Sequence, residues 1–227
     1  VVAFALMRDL GFKPKRTKSP VSDIKNTFKI SINSGFKNPP VRWIMLSSLF
    51  TTGVSFYAFY AMQPFLLELY GDKSAYTVAG LAAAIIAGAQ IFGGITANYI
   101  RILFNRRTTL IAFGILISSF LLLALGFTKS FYVAIGLLVL WGLILSAIRP
   151  ARSAYLNDLI ESKNRATVLS FDNLLGSSGG VVIQPILGKS ADLWSYSVSY
   201  IIGALFQAAA LPFILLAKRQ NSKADKI

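Results

Sequence analysis

The sequence contains no cysteine and no histidine, and only nine of its 227 residues are acidic. Without these side chains it has no disulfide framework, no thiolate nucleophile, no imidazole base and no ordinary zinc site. The few carboxylates are scattered, and we find no Ser/His/Asp set, no paired catalytic carboxylates and no glycine-rich phosphate loop. We therefore predict a protein that is not an enzyme and that holds no metal ion and no cofactor.

Long apolar stretches occupy most of the sequence. A helix that crosses a membrane needs about 20 mostly apolar residues, and six stretches have that length. We number them spans 1 to 6, and they cover residues 43–66, 77–99, 108–128, 131–155, 166–188 and 196–217. The sequence therefore predicts an all-α integral membrane protein with six transmembrane helices over 43–217. Because six is even, the segments 8–42 and 218–227 should lie on the same side of the membrane.

The basic residues fall almost entirely on one side of these spans. Of the 23 Lys and Arg residues, all but Lys73, Lys129 and Lys189 lie in the two terminal segments or beside the loops after spans 2 and 4. Cytoplasmic loops carry such an excess, so we expect both ends to be cytoplasmic, in the plasma membrane of a bacterium or an archaeon. The net charge of +14 then serves contact with anionic membrane lipid, and we predict no nucleic-acid partner.

The segment before span 1 has an apolar start and a basic remainder. We expect residues 1–7 to be the end of a preceding transmembrane helix that has been cut away, since seven residues cannot cross a membrane. An ordinary apolar tail is the alternative. Residues 8–42 would form a cytoplasmic loop. In it, Ser22 is predicted to cap a short amphipathic helix with three apolar residues on one face, Ile24, Phe28 and Ile32.

Several runs resemble the major facilitator superfamily. Residues 149–157 (RPARSAYLN), 165–170 (RATVLS) and 184–188 (QPILG) look like that family's region from helix ten to helix eleven. Residues 36–43 (FKNPPVRW) are similar to its entry into helix seven, and 63–66 (QPFL) to the outer end of that helix. The resemblance implies the C-terminal half, with the central loop, of a twelve-helix transporter. Its partners would be a small-molecule solute and the missing N-terminal half.

The loop after span 2 departs from the family pattern. Family members often carry Gly, Asp, Arg, Gly and paired Arg there at set spacing. Here Gly94 is followed by Asn98 at the Asp position and by Tyr99 at the next, while Arg106 and Arg107 come later. We therefore expect no strong gating ion pair in this loop.

Small residues recur at four-residue spacing in spans 2 and 5. Span 2 contains Gly80, Ala84 and Gly88, and span 5 contains Gly176 and Gly180. Such spacing lets two helices approach closely, and static packing is one explanation of it. By resemblance, these two spans slide against the other half during alternating access. The second hypothesis is therefore a moving seam between the halves.

Asp172 is a carboxylate about two turns inside span 5, next to Asn173. A charge inside a span is costly and often functional, and Arg149, at a similar depth in span 4, would offset it. The pair would either stabilise the bundle near the inner interface or act as a gate or as a protonation site that couples transport to protons. Because an arginine partner favours the charged carboxylate, we prefer a gate to a proton carrier.

Polar and aromatic residues in three spans are candidates for the substrate path. By resemblance, spans 1 and 4 line a central cavity, and Phe-rich surroundings would suit an apolar or amphipathic solute, as in efflux. Static packing and hydrogen bonds between helices are the alternative for each residue. The candidates are Tyr57, Tyr60 and Gln63 in span 1, Gln90 in span 2, and Trp141 and Ser146 in span 4.

The predicted function is secondary active transport of a small solute by alternating access. One alternative is a half-size transporter that dimerises to rebuild twelve helices. Another is a receptor or assembly protein that keeps this fold without transporting anything. A sealed, wholly apolar interior would favour the last alternative, and the polar residues in the spans argue against it.

Overall fold

Six helical segments of the computed structural model are long and apolar enough to cross a membrane. The structure describes residues 20–227, with side chains from Ile24 onward, so the predicted helix end at 1–7 lies outside the described residues. The helices are α1 (Pro20–Ile30), α2 (Pro39–Tyr70), α3 (Tyr76–Ile102), α4 (Arg107–Phe127), α5 (Phe131–Leu159), α6 (Arg165–Leu193), α7 (Tyr196–Ala208) and α8 (Leu211–Arg219). Residues 20–227 contain no strand, and the all-α membrane architecture is confirmed.

The first long helix, α2, is 32 residues long. It starts with Pro39 and Pro40, because the first turn of a helix has N–H groups without helical partners and proline lacks that group. It stops at Gly71, whose φ of 84° is left-handed and suits glycine. The predicted limits of 43–66 were too narrow, since hydropathy marks only the apolar part of a helix that continues beyond the hydrocarbon core.

The bundle is held together by three close helix pairs, α2 with α6, α3 with α5, and α4 with α7. The packing of α4 against α5 joins two of these pairs, and α8 packs against α2 and α4. One apolar cluster surrounds Tyr200 and Trp141, and a second surrounds Tyr155 and Ile44. Tyr155 and Tyr200 are the largest fully buried side chains among the described residues.

The sixth span consists of two helices, α7 and α8. They are separated at residues 209–210, just before Pro212 in the first turn of α8. Proline cannot donate a helical hydrogen bond and its ring crowds the preceding turn, so the helix breaks there. By contrast, α5 continues through Pro150 and α6 through Pro185.

The short helix predicted before span 1 is present as α1. It begins at Pro20, so Ser22 lies inside the helix and is not its cap, and Ile32 belongs to the following π-helical turn, Ser31–Phe36. The side chains of Ile24 and Phe28 are 70% and 54% exposed. Phe28 meets Phe171 of α6 edge to face, with 5.8 Å between ring centroids.

The C-terminal tail folds back over the end of the bundle that carries the α3–α4 and α5–α6 loops, which we call the basic end. Asp225 in the tail is 2% exposed. Its carboxylate accepts hydrogen bonds from the backbone N–H and the hydroxyl of Thr108, both at 2.8 Å. Because the first N–H groups of a helix lack helical partners, Asp225 caps α4 from 117 residues away. The sequence predicted only a cytoplasmic tail here.

The basic end also holds an ion pair that we did not expect. Arg107, at the start of α4, donates to the Asp158 carboxylate near the end of α5, with 2.6 Å between Nη1 and Oδ2. The pair joins two helices and is half open to solvent at Asp158, so the expectation that the loop itself lacks a strong gating ion pair stays a prediction. The acidic partner comes from α5 and not from the loop, which is why the loop sequence did not reveal it.

Candidate functional site

A cavity of about 420 Å³ lies between α2 and α5. These two helices supply most of its lining, and α3, α4 and α7 supply the rest. The lining residues are Ser47, Ser48, Thr51, Thr52, Ser55, Phe56, Phe59, Tyr60, Gln90, Ile111, Ile115, Trp141, Leu145, Ile148, Arg149, Arg152 and Gln207.

A stripe of hydroxyl groups runs along the cavity face of α2. It consists of two adjacent pairs and a single residue, which recur every three or four positions and so lie on one side of the helix: Ser47 and Ser48, Thr51 and Thr52, and Ser55. The hydroxyls of Ser47 and Ser48 donate to the carbonyls of Ile44 and Met45, both at 2.6 Å, which satisfies two hydroxyl donors inside the apolar bundle. The sequence analysis missed this stripe, although the spacing of Ser and Thr between 47 and 55 was visible.

Asp172 forms a two-pronged ion pair with Arg152. Nη2 of Arg152 lies 2.7 Å from Oδ1 of Asp172, and Nη1 lies 2.8 Å from Oδ2. Nη2 of Arg152 also donates to the backbone carbonyl of Ile44 in α2, at 3.4 Å, and the Ser48 hydroxyl of α2 lies 3.3 Å from Oδ1. Paired hydrogen bonds of this kind fix the geometry of both side chains. The pair thus links α5, α6 and α2.

The sequence analysis assigned the wrong arginine to this pair. Arg149 is exposed and lines the cavity, and among residues 20–227 no carboxylate lies within ion-pair distance of it. Three residues along an α-helix turn the side chain by about 300°. Arg152 therefore faces α6, while Arg149, one turn earlier, faces the cavity. Asn173 is exposed beside the buried Asp172.

The predicted path residues of span 1 point in three directions. Tyr60 lines the cavity. Tyr57 is buried and donates to the Ser199 hydroxyl of α7 at 2.6 Å, and Gln63 is exposed outside the cavity lining. Each step of three residues shifts a helical position by about 60°, so a spacing of three spreads these residues over about a third of the circumference. Tyr57 is thus a packing residue, contrary to expectation.

The path candidates of spans 2 and 4 divide in the same way. Gln90 and Trp141 line the cavity. Ser146 does not, because it lies where α3 and α5 touch: a Cβ built on Gly93 would be 3.0 Å from the Cβ of Ser146.

The predicted seam residues occupy two different environments. A Cβ on Gly176 would lie 2.7 Å from Oγ1 of Thr52, so this glycine packs α6 against α2 within the bundle. Gly180 lies beside Gly53 of α2 and is also buried. A Cβ on Gly80 or Gly88 of α3 would meet no atom within 4 Å. Ala84, on the same helix, is exposed.

Two buried polar groups at the cavity have no hydrogen-bond partner in the described structure. They are the indole N–H of Trp141 and the side-chain carbonyl of Gln207. Leaving such groups unpaired is unfavourable. Within residues 20–227 there is no group of three His, Cys, Asp or Glu side chains that could hold a metal ion.

Comparison with known proteins identifies a family and a similar solved structure. The sequence matches the profile of the Major Facilitator Superfamily over residues 1–183 and, in an overlapping match, over 75–226. The fold is similar to the crystal structure of a bacterial homolog of the human lysosomal transporter Spinster, in an inward-facing and unoccupied conformation. The TM-score is 0.65 at 17% identity, over 100% of this chain and 57% of that one. No curated protein sequence matches the chain.

Proposed function

Because the chain belongs to the major facilitator superfamily, we propose that it forms a six-helix half of a secondary transporter and moves a small solute through the cavity between α2 and α5. The family predicted from the sequence runs is confirmed, and it is a family of transporters and not of enzymes. Members of such folds carry solutes by alternating access around a central site.

The observation that carries this proposal is the polar lining of the cavity. Hydroxyls of α2, Gln90 and Arg149 lie together inside helices that are otherwise apolar. Polar and charged groups within a membrane-spanning bundle are unfavourable unless they face a path or a binding site. A receptor or assembly protein with the same fold would have no need for this cavity.

A second six-helix bundle is the proposed partner. The chain spans 57% of the length of the similar structure, and α3 carries an open strip around Gly80 and Gly88. Where glycines have no neighbouring atoms in their own bundle, a helix of a second bundle can approach the backbone closely. We therefore place the moving seam on α3, and we assign Gly176 of α6 to packing within this half.

We propose that the Arg152–Asp172 pair is a gate-side element. It joins α5, α6 and α2 next to the cavity, and its paired hydrogen bonds fix the geometry of both side chains. Proton coupling through Asp172 is the competing hypothesis and would require the pair to separate during transport. From the distribution of Lys and Arg, we propose that the basic end lies in the cytoplasm, next to anionic lipid.

The test uses single cysteines, since the chain contains none. Ser55→Cys lies on the cavity, and Ser119→Cys is a matched buried control on α4, outside the cavity lining. In sealed vesicles of each orientation, made with the full protein in a cysteine-free background, a membrane-impermeant thiol reagent should label Ser55→Cys from both sides and leave Ser119→Cys unlabelled. Labelling of Ser55→Cys from one side only, or from neither, would contradict alternating access.

A further inference from the structure

We propose that the cavity binds an amphipathic organic anion, with its acidic group held by Arg149 and its apolar body against the aromatic side chains of α2 and α5. The inference deepens the proposed function and rests on it. It names the charge class of the solute, which neither the family nor the fold determines.

The charge balance of the cavity is the first support. Its lining contains two arginines, Arg149 and Arg152, and no Asp or Glu. The carboxylate of Asp172 lies behind the lining and neutralises Arg152 through two hydrogen bonds. This leaves the guanidinium of Arg149 as an uncompensated positive charge on the cavity wall of the described structure.

The position of Arg149 on the cavity wall makes this charge significant. The residue lies 18 positions after the start of α5 at Phe131, which is about 27 Å at the helical rise of about 1.5 Å per residue. The hydrocarbon core is about 30 Å thick, so Arg149 lies near its inner edge, on the wall of the cavity. A positive charge there attracts a counter-ion, and a bound anion supplies one. A cation would add repulsion and find no carboxylate in the lining.

The rest of the lining agrees with an amphipathic ligand. Its polar part comes from the hydroxyls of α2 and from Gln90. Its apolar part comes from Leu145 and Ile148 on α5 and from Phe56 and Phe59 on α2. The cavity therefore offers a charged and polar surface together with an apolar one.

The experiment compares three naphthalene probes that differ only in charge: naphthalene-2-carboxylate, neutral 2-naphthamide and 2-naphthylmethylammonium. Their binding to the full protein in lipid nanodiscs is measured by titration calorimetry, with empty nanodiscs subtracted. We expect the carboxylate to bind at least about tenfold more tightly than the amide, since hydrogen bonds to charged groups exceed neutral ones by that order. The ammonium should bind most weakly.

Variants of Arg149 test whether the preference for the carboxylate comes from this residue. Arg149→Gln should lower the affinity for the carboxylate to that for the amide, and Arg149→Lys should keep part of the preference. Arg101→Gln, which removes an exposed arginine outside the cavity lining, is the matched control and should keep the whole preference. Thermal unfolding of each variant, compared with the parent, separates a binding effect from a folding defect.

The possible failures are distinguishable. Equal affinities for the three probes, or tightest binding of the ammonium, would overturn the anion inference and leave the proposed transport cavity standing. A carboxylate preference that survives in Arg149→Gln would overturn the assignment to Arg149. If none of the three probes binds, the proposed solute cavity is contradicted along with the inference.

Discussion

Helices α3 and α6 carry the same small-residue spacing and use it in opposite ways. In α6, Gly176 and Gly179 lie against α2, and a Cβ on Gly179 would overlap the backbone carbonyl of Leu49. In α3, Gly80 and Gly88 face open space. Four-residue spacing therefore shows that a helix has a close-approach face, but not whether that face is filled by the same bundle. In this chain the face of α6 is filled within the bundle, and the face of α3 is open to the second bundle that we propose as a partner.

The largest expected effect on stability comes from placing a valine, in separate variants, on the small-residue face of α6 and on that of α3. Gly179→Val forces α6 away from the Leu49 backbone, and we expect a loss of about 3 kcal/mol or more in the free energy of unfolding. Gly88→Val meets no atom of this chain within 4 Å and should change that free energy by no more than about 0.5 kcal/mol. Thermal and denaturant unfolding of the purified chain in detergent measures both.

The same pair of variants separates packing from movement. In the full protein, Gly88→Val should reduce two-sided labelling of Ser55→Cys while leaving stability intact, because the proposed seam lies on α3. Equal stability losses in the two variants would remove the contrast between the helices. Normal two-sided labelling in Gly88→Val would place the seam elsewhere.

The second largest expected effect concerns the ion pair between Arg152 of α5 and Asp172 of α6. Asp172→Ala leaves the guanidinium of Arg152, only 26% exposed, without its counter-charge. Breaking a buried pair is strongly destabilising, and with the partial exposure of Arg152 we expect a loss of about 2 kcal/mol. Adding Arg152→Ala should restore part of it, since the unpaired charge is then gone. Unfolding of the single and double variants gives the coupling energy.

The matched control is Asp158→Ala, which breaks the pair with Arg107 at the basic end. The side chain of Asp158 is 52% exposed, and pairs open to solvent contribute about 0–1 kcal/mol. A loss from Asp158→Ala as large as that from Asp172→Ala would show that burial does not determine the strength of these pairs.

The sequence predicts features that depend on neighbouring residues in the chain better than it predicts contacts between helices. Hydropathy identified the six spans, because their length is fixed by the membrane, and the position of Asp172 inside span 5 followed from the same pattern. The identity of its partner did not. Arg149 and Arg152 differ by one helical turn, and the choice depends on how α5 is rotated by its contacts with α3 and α4. Burial of Tyr57 depends in the same way on how α2 is rotated against α7, where Ser199 accepts its hydrogen bond.

The smallest expected effect concerns the C-terminal tail, which is held by the contact of Asp225 with Thr108 and not by packing of helices. The sequence offered no signal for it, since Asp225 and Thr108 are 117 positions apart. Asp225→Ala removes the carboxylate that accepts two hydrogen bonds at the start of α4, and loss of a cap costs about 1 kcal/mol. Lys226→Ala, a change at the exposed neighbouring side chain, is the control and should be neutral.

Hydrogen exchange at the amide of Thr108 resolves this small effect better than global unfolding does. That amide is protected by the Asp225 carboxylate in the structure, so Asp225→Ala should raise its exchange rate, while amides in the middle of α4 keep theirs. Asp225→Asn retains a side-chain oxygen and should lie between the two, because an amide oxygen also caps helices but without the charge that favours a helix N-terminus. An unchanged exchange rate of the Thr108 amide in Asp225→Ala would show that the tail carboxylate does not stabilise the start of α4. The contrast between the helices would then rest on helix packing alone.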